Sequence, residues 1–158
     1  MKTTTLDADE YFHLALHASS VGDPHACISY LEEVLQLQPA NARALYLRAV
    51  QHTELGLTDR AVSGIREALA IDPALEIARF HLGLLLLFDR DRAKEAMEYL
   101  HELRGSSNHD LRRYAQALEA LVDHQFPPAR EKLALGLAML SEYEPHAALA
   151  TLVKRSAP

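Results

Sequence analysis

Residues 21–39 read VGDPHACISYLEEVLQLQP, and residues 55–73 read LGLTDRAVSGIREALAIDP. Gly22 and Gly56 lie 34 residues apart, as do Cys27 and Ala61, Leu31 and Ile65, Val34 and Ala68, and Pro39 and Pro73. Self-similarity at this period means one supersecondary unit built several times over. Further along the chain, a small-residue slot runs Cys27, Ala61, Ala96, Ala129, at spacings of 34, 35 and 33. A larger apolar slot runs Leu31, Ile65, Leu100, Leu133 with the same spacings, and Ala15, Ala49, Gly83 and Ala117 fall at 34-residue steps.

Physical reasons exist for each slot. Two antiparallel helices cannot bury their apolar faces alone, so neighbouring repeats must stack. Helices approach closely only where side chains are small, hence Ala, Gly or Cys at the crossings. Pro39 and Pro73 end one unit and open the next. Helices are expected over about 8–20 (capped by Asp7 with Glu10), from Asp23 onward with Pro24 in the first turn, and over 42–55. Others are expected over 59–71 with Thr58 as cap, 75–88, 92–103 and 110–123 with Asp110 as cap. Two more are expected: 128–140, opened by Pro127-Pro128, and a capping helix at about 145–155.

Composition agrees. The chain has 158 residues, 49% hydrophobic and 24% charged, which suits a buried core and not a disordered tail. Ala and Leu dominate the apolar set, favouring helix over sheet. A net charge of −6 argues against sequence-independent nucleic-acid binding, which needs clustered Lys and Arg. It argues equally against anionic lipid. The longest apolar run, Leu82 to Phe88, is far short of a membrane span. Cys27 is the single cysteine, so no intrachain disulfide or multi-Cys zinc site is available. Met1 to Glu10 lacks the apolar stretch of a secretory signal, and a cytoplasmic location is expected.

Tyr11-x-x-Leu14-Ala15, Cys27-x-x-x-Leu31 and Pro39 resemble the tetratricopeptide (TPR) pattern of small, apolar and closing Pro residues. Leu45, Ala49, Ala61-x-x-x-Ile65 and Pro73 match again, and Leu82-Gly83 with Ala96-x-x-x-Leu100 match a third time. Ser106-Ser107-Asn108 stands where the third Pro would be, and the fourth copy keeps only Ala117, Ala129 and Leu133. The resemblance implies an all-α, right-handed α-α superhelix forming a single domain. Its repeats fall at about 8–41, 42–75, 76–109 and 110–143, followed by the capping helix. It also implies that the first helix of each repeat lines a concave groove.

On those helices one column reads Phe12, Tyr46, Phe80, Tyr114, and the column one turn later reads Leu16, Val50, Leu84, Leu118. Four residues separate the columns, so they share a face. Around them the last copies widen into apolar positions, with Leu87 and Phe88 in the third, whereas the second has Arg43 and Glu54. The expected groove is therefore polar towards the N-terminus and apolar near Phe80 and Leu84. A partner's helix or extended segment would cover it, unless neighbouring side chains close the apolar half themselves. Relatives that clamp a chaperone's C-terminal carboxylate use Lys and Asn in these columns; Phe12 and Leu16 stand there instead, which argues against that ligand.

Little points to catalysis. His13 and His17 with Glu10 have a spacing that suits metal ligation, but no fourth ligand is evident, and they read as solvated or half-buried side chains. Cys27 reads as a packed small residue. No nucleophile motif, phosphate loop or dinucleotide fingerprint is present, so neither an enzyme nor a cofactor or metal is expected. Asp89-Arg90-Asp91-Arg92 reads as a solvated turn. Arg48 and Arg79, near the aromatic column, have two readings: contact with a partner's acidic groups, or pairing with neighbouring Glu. The function expected is a scaffold or adaptor that binds a protein or peptide. The alternatives are a secretion or assembly chaperone for an apolar substrate, and self-association as a homodimer through the apolar half.

Overall fold

Asp7 and Glu10 start the first helix as a reciprocal pair. The Glu10 N–H donates to Asp7 Oδ1 and the Asp7 N–H donates to Glu10 Oε2, both at 2.9 Å. Two otherwise unpaired helix donors are thereby satisfied. The computed structural model describes residues 5–87 and 92–124, and every regular element among them is helical. The α-helices are α1 (Ala8–Ser20), α2 (Pro24–Leu37), α3 (Ala42–Glu54) and α4 (Thr58–Ile71), then α5 (Glu76–Leu87), α6 (Ala93–Glu102) and α7 (His109–His124). A 3-10 turn, Leu103–Gly105, follows α6. The expected helices at 128–140 and 145–155, with Pro127, Ala129 and Leu133, lie outside the described residues. So do Phe88 and Asp89 to Asp91.

The chain divides into two compact units, Met1–Ile71 and Asp72–Pro158. Repeat arrays are held by nearest-neighbour packing, so a repeat boundary is a natural seam. In the first unit α1 pairs with α2, α2 with α3, and α3 with α4. Asp23 caps α2 by accepting from the Ala26 N–H at 2.9 Å, and Asn41 caps α3 by accepting from the Ala44 N–H at 3.0 Å. Gly22 and Gly56 hold the two intra-repeat turns at φ 75° and 74°, a conformation costly for any residue with a Cβ. Ala15, Ala18, Cys27, Leu31 and Val34 build the core with Ala44 and Leu47. Gly64 lets α4 approach α3 closely: a Cβ there would stand 3.1 Å from that of Ala49.

In the second unit the same device joins α5 and α6. A Cβ on Gly83 would lie 2.9 Å from Leu100 Cδ2. Residues 80–86 of α5 are buried without a break, as an apolar run on all sides requires. α7 packs on α6 and on α5. The missing third Pro is replaced by hydrogen bonds. Ser106 Oγ donates to Glu76 Oε2 at 2.6 Å, and Arg112 Nη1 donates to the Ser106 carbonyl at 2.9 Å. Asn108, not Asp110, caps α7: its Oδ1 accepts from the N–H groups of Asp110 and Leu111 at 3.1 and 3.2 Å. α4 likewise begins one place earlier than expected, at Thr58 itself.

The first helix of the fourth copy, α7, is out of step with the 34-residue count by one position. Cys27 to Ala49 and Ala61 to Gly83 are both 22 residues, and the same offset from Ala96 reaches Leu118 rather than Ala117. Burial follows that register: Leu111, Ala115 and Leu118 are buried while Ala117 is only half-buried. The extra residue that separates Ala61 from Ala96 by 35 is thus carried forward into α7. In this register Ala115, not Tyr114, continues the column Phe12, Tyr46, Phe80.

Candidate partner-binding surface

α1 and α3 carry the first unit's share of the expected groove. Phe12 and Leu16 are one turn apart on α1, Phe12 half-buried and Leu16 exposed at 37%. On α3, Arg43, Tyr46, Val50 and Glu54 fall at spacings of 3, 4 and 4, a single stripe along the helix. Arg43 is exposed, and its guanidinium carbon sits 5.4 Å from the centre of the Phe12 ring. A guanidinium in that position is attracted to the ring face and still presents its N–H fork outward. Tyr46 and Val50 are buried beneath, so they form the floor and not the contact surface. Burial pushes the Tyr46 phenol well above its ordinary value and raises the half-buried Glu54 carboxyl. Gln51 ties the two helices together, donating to Ser19 Oγ at 3.3 Å.

The second unit's share is closed. Phe80 and Leu84 have no exposed surface, nor does Leu118. They form one cluster with Leu100, Leu103, Leu111 and Ala115, with Ile77, Leu87 and Tyr114 half-buried at its margin. Phe80 and Tyr114 rings meet at 6.5 Å with a 51° tilt, within the range where tilted aromatic pairs attract. Burial, then the Asp110 charge, raises the Tyr114 hydroxyl. The expectation of an open apolar surface at Phe80 and Leu84 therefore gives way to internal packing. α7 supplies the cover, which no single-helix pattern could show.

The chemistry-bearing residues settle likewise. Glu10 is engaged in the α1 cap, and His13 Nδ1 lies 2.7 Å from the Asp9 carbonyl. Among the described residues no three His, Cys, Asp or Glu are arranged to hold a metal ion. Cys27 is buried, and its thiol is pushed up to about 12 by that burial and by the Glu54 and Asp23 charges, which keeps it protonated and inert. Arg92 pairs with Glu95 at 3.2 Å. Arg79 pairs with Glu102 at 3.0 Å and donates to the Pro73 carbonyl, so it serves the second unit's own structure. Arg48 Nε has no such partner among the described residues. One further pair left no signal in the order of residues. Glu119 of α7, with its side chain 4% exposed, takes two bonds from Arg104, at 2.8 and 2.7 Å on Oε2. Fifteen residues separate them, from the 3-10 turn to the helix that follows it, a pairing no periodic pattern encodes.

The family model for the tetratricopeptide repeat matches residues 8–41. Residues 8–41 are thus a tetratricopeptide repeat, and helical pairs recur after it at the same period. The chain has the fold of a TPR-type helical array. Similar solved structures include MamA from Desulfovibrio magneticus RS-1, with TM-score 0.66 and 18% identity over 94% of this chain and 93% of that one. Another is a Thermobaculum terrenum O-GlcNAc transferase mutant, with TM-score 0.65 and 25% identity over 86% of this chain and 26% of that one. Among curated proteins, the mouse FK506-binding protein-like is 30% identical over 80 residues, and its human counterpart 27% over 85. These matches cover 51% and 54% of this TPR chain, which spans only about a quarter of those relatives' length, 23% and 24%. The matched repeat supports a general protein-interaction scaffold role. No helix among the described residues is long and apolar enough to cross a membrane.

Proposed function

We propose that this TPR chain is a non-enzymatic adaptor that binds a segment of a partner protein on the α1–α3 face of its first unit. The observation that carries the reading is Leu16, exposed one turn from a Phe12 ring that already holds the Arg43 guanidinium. Such a surface suits a segment that places an apolar side chain on Leu16 and a carboxylate on Arg43. Apolar contact supplies area, while the planar fork of Arg43 fixes direction. Tyr46 and Val50 make the floor rigid, so little ordering is required on binding. The buried Phe80 and Leu84 support the fold of the second unit.

Selection from a random peptide display library tests this. Binders recovered on the wild-type chain should be enriched in Asp or Glu next to an apolar residue. Leu16→Glu and Arg43→Glu, both exposed positions, should each weaken the recovered peptides about tenfold or more. Peptides that bind both variants as tightly as wild type would sink this face as the site. Recovery of sequences from this chain itself would redirect the reading to self-association.

A further inference from the structure

Arg48 and His52 sit four residues apart on α3, about 140–180° around the helix from the Arg43–Tyr46–Val50 stripe. They do not belong to the face just described. Arg48 Nε and His52 Nδ1 are both shielded from solvent, and neither has a hydrogen-bond partner among the described residues. A buried donor without an acceptor is disfavoured and rare. His52 lies in the last turn of α3, and Arg60 in the first turn of α4 just beyond the Gly56 turn. From α2, which packs on α3, Glu32 is the carboxylate whose charge reaches His52. The charges of Arg48 and Arg60 both reach the His52 imidazole, opposed there by Glu32.

We propose that Arg48, His52 and Arg60 form a binding site for an oxyanion, a carboxylate or a phosphoryl group, between α2, α3 and α4. Two oxygens match the Arg48 fork, and the imidazole donates once it is protonated. Without an anion, burial and then the Arg48 and Arg60 charges hold His52 below its ordinary 6.5, with Glu32 opposing them. A bound anion offsets the two guanidiniums and raises it. Binding therefore strengthens as pH falls through that range.

The test is titration of the His52 ring by NMR, its signal assigned with His52→Gln, in sodium acetate, sodium phosphate and sodium chloride at equal ionic strength. Acetate or phosphate should move the signal saturably and raise the His52 pKa by about 1, and chloride should not. Arg48→Gln should weaken the saturable response about tenfold, and the exposed Arg60→Gln should weaken it less. Saturation by acetate assigns the site to carboxylates, and saturation by phosphate alone assigns it to phosphoryl groups. Equal, non-saturating responses to all three salts overturn the proposal, as does an Arg48→Gln protein that folds and responds like wild type. Leu16→Glu should leave the response unchanged, which separates this site from the α1–α3 face.

Discussion

Replacing Arg104 with Met removes the cation that holds Glu119 while keeping most of the side chain's stem. The Glu119 side chain is 4% exposed and loses both bonds to Oε2, leaving only His101, whose Nδ1 is 3.6 Å from Oε1. Stranding one charge of a buried pair costs about 3–5 kcal/mol. The Arg104 side chain is 53% exposed, so water already screens the pair, and about 2 kcal/mol is the appropriate scale. For a chain of this size that lowers Tm by about 4–8 °C. Glu119→Gln should cost less, about 1 kcal/mol, because Arg104 can turn to solvent and the amide oxygen still accepts a bond. In the Glu119→Gln background, Arg104→Met should lose most of its effect, giving a coupling energy of about 1.5 kcal/mol by urea unfolding. If Arg104→Met costs as much in the Glu119→Gln background as in the wild-type chain, the pair is not what anchors α7, and the reasoning fails.

Three further outcomes are expected. Gly83→Ala should destabilise by about 1 kcal/mol, since overpacking of about 1–3 kcal/mol outweighs Ala's helix preference of about 1. Leu100→Val in the same chain should restore part of the loss, because the intruding Cβ meets Leu100. Asn108→Ala should cost about 1 kcal/mol in thermal unfolding and Asp110→Ala clearly less, since Asn108 makes the cap bonds; the reverse order would refute the assignment. His52 is held below 6.5 in the folded chain, so the unfolded chain binds more protons near that pH. Stability should therefore fall as pH drops from about 7 through the folded value. His52→Gln should flatten that fall, and an unchanged pH profile would remove His52 from its cause.

Residue spacing alone determined the repeat. Small residues at Ala15, Cys27, Ala49, Ala61, Gly83 and Ala96 announce where helices cross, because a crossing tolerates no larger side chain at either position. Asp7 with Glu10, and Asp23 before Pro24, announce helix starts because capping is local, made within three residues. At α7 the sequence pointed to Asp110 as the cap, but the turn in which Ser106 Oγ accepts from the Asn108 N–H puts Asn108 in that place instead. A strict 34-residue count misplaced the register of α7, since the residue gained between Ala61 and Ala96 displaces that helix by one position.

Burial of whole faces was decided by tertiary structure. Phe80 and Leu84 carry the same pattern as Phe12 and Leu16, yet the first pair is sealed by Leu100, Leu103 and α7 while Leu16 meets water. A helix's apolar stripe records that it packs, not against what, and the hydrophobic effect acts without direction. The same holds for charge. Arg79 and Arg48 looked alike in sequence, but only packing gave Arg79 its Glu102 and left the Arg48 Nε shielded and without an acceptor among the described residues. Ion pairs between elements depend on a few ångströms of separation, which the fold sets and the order of residues along one helix does not.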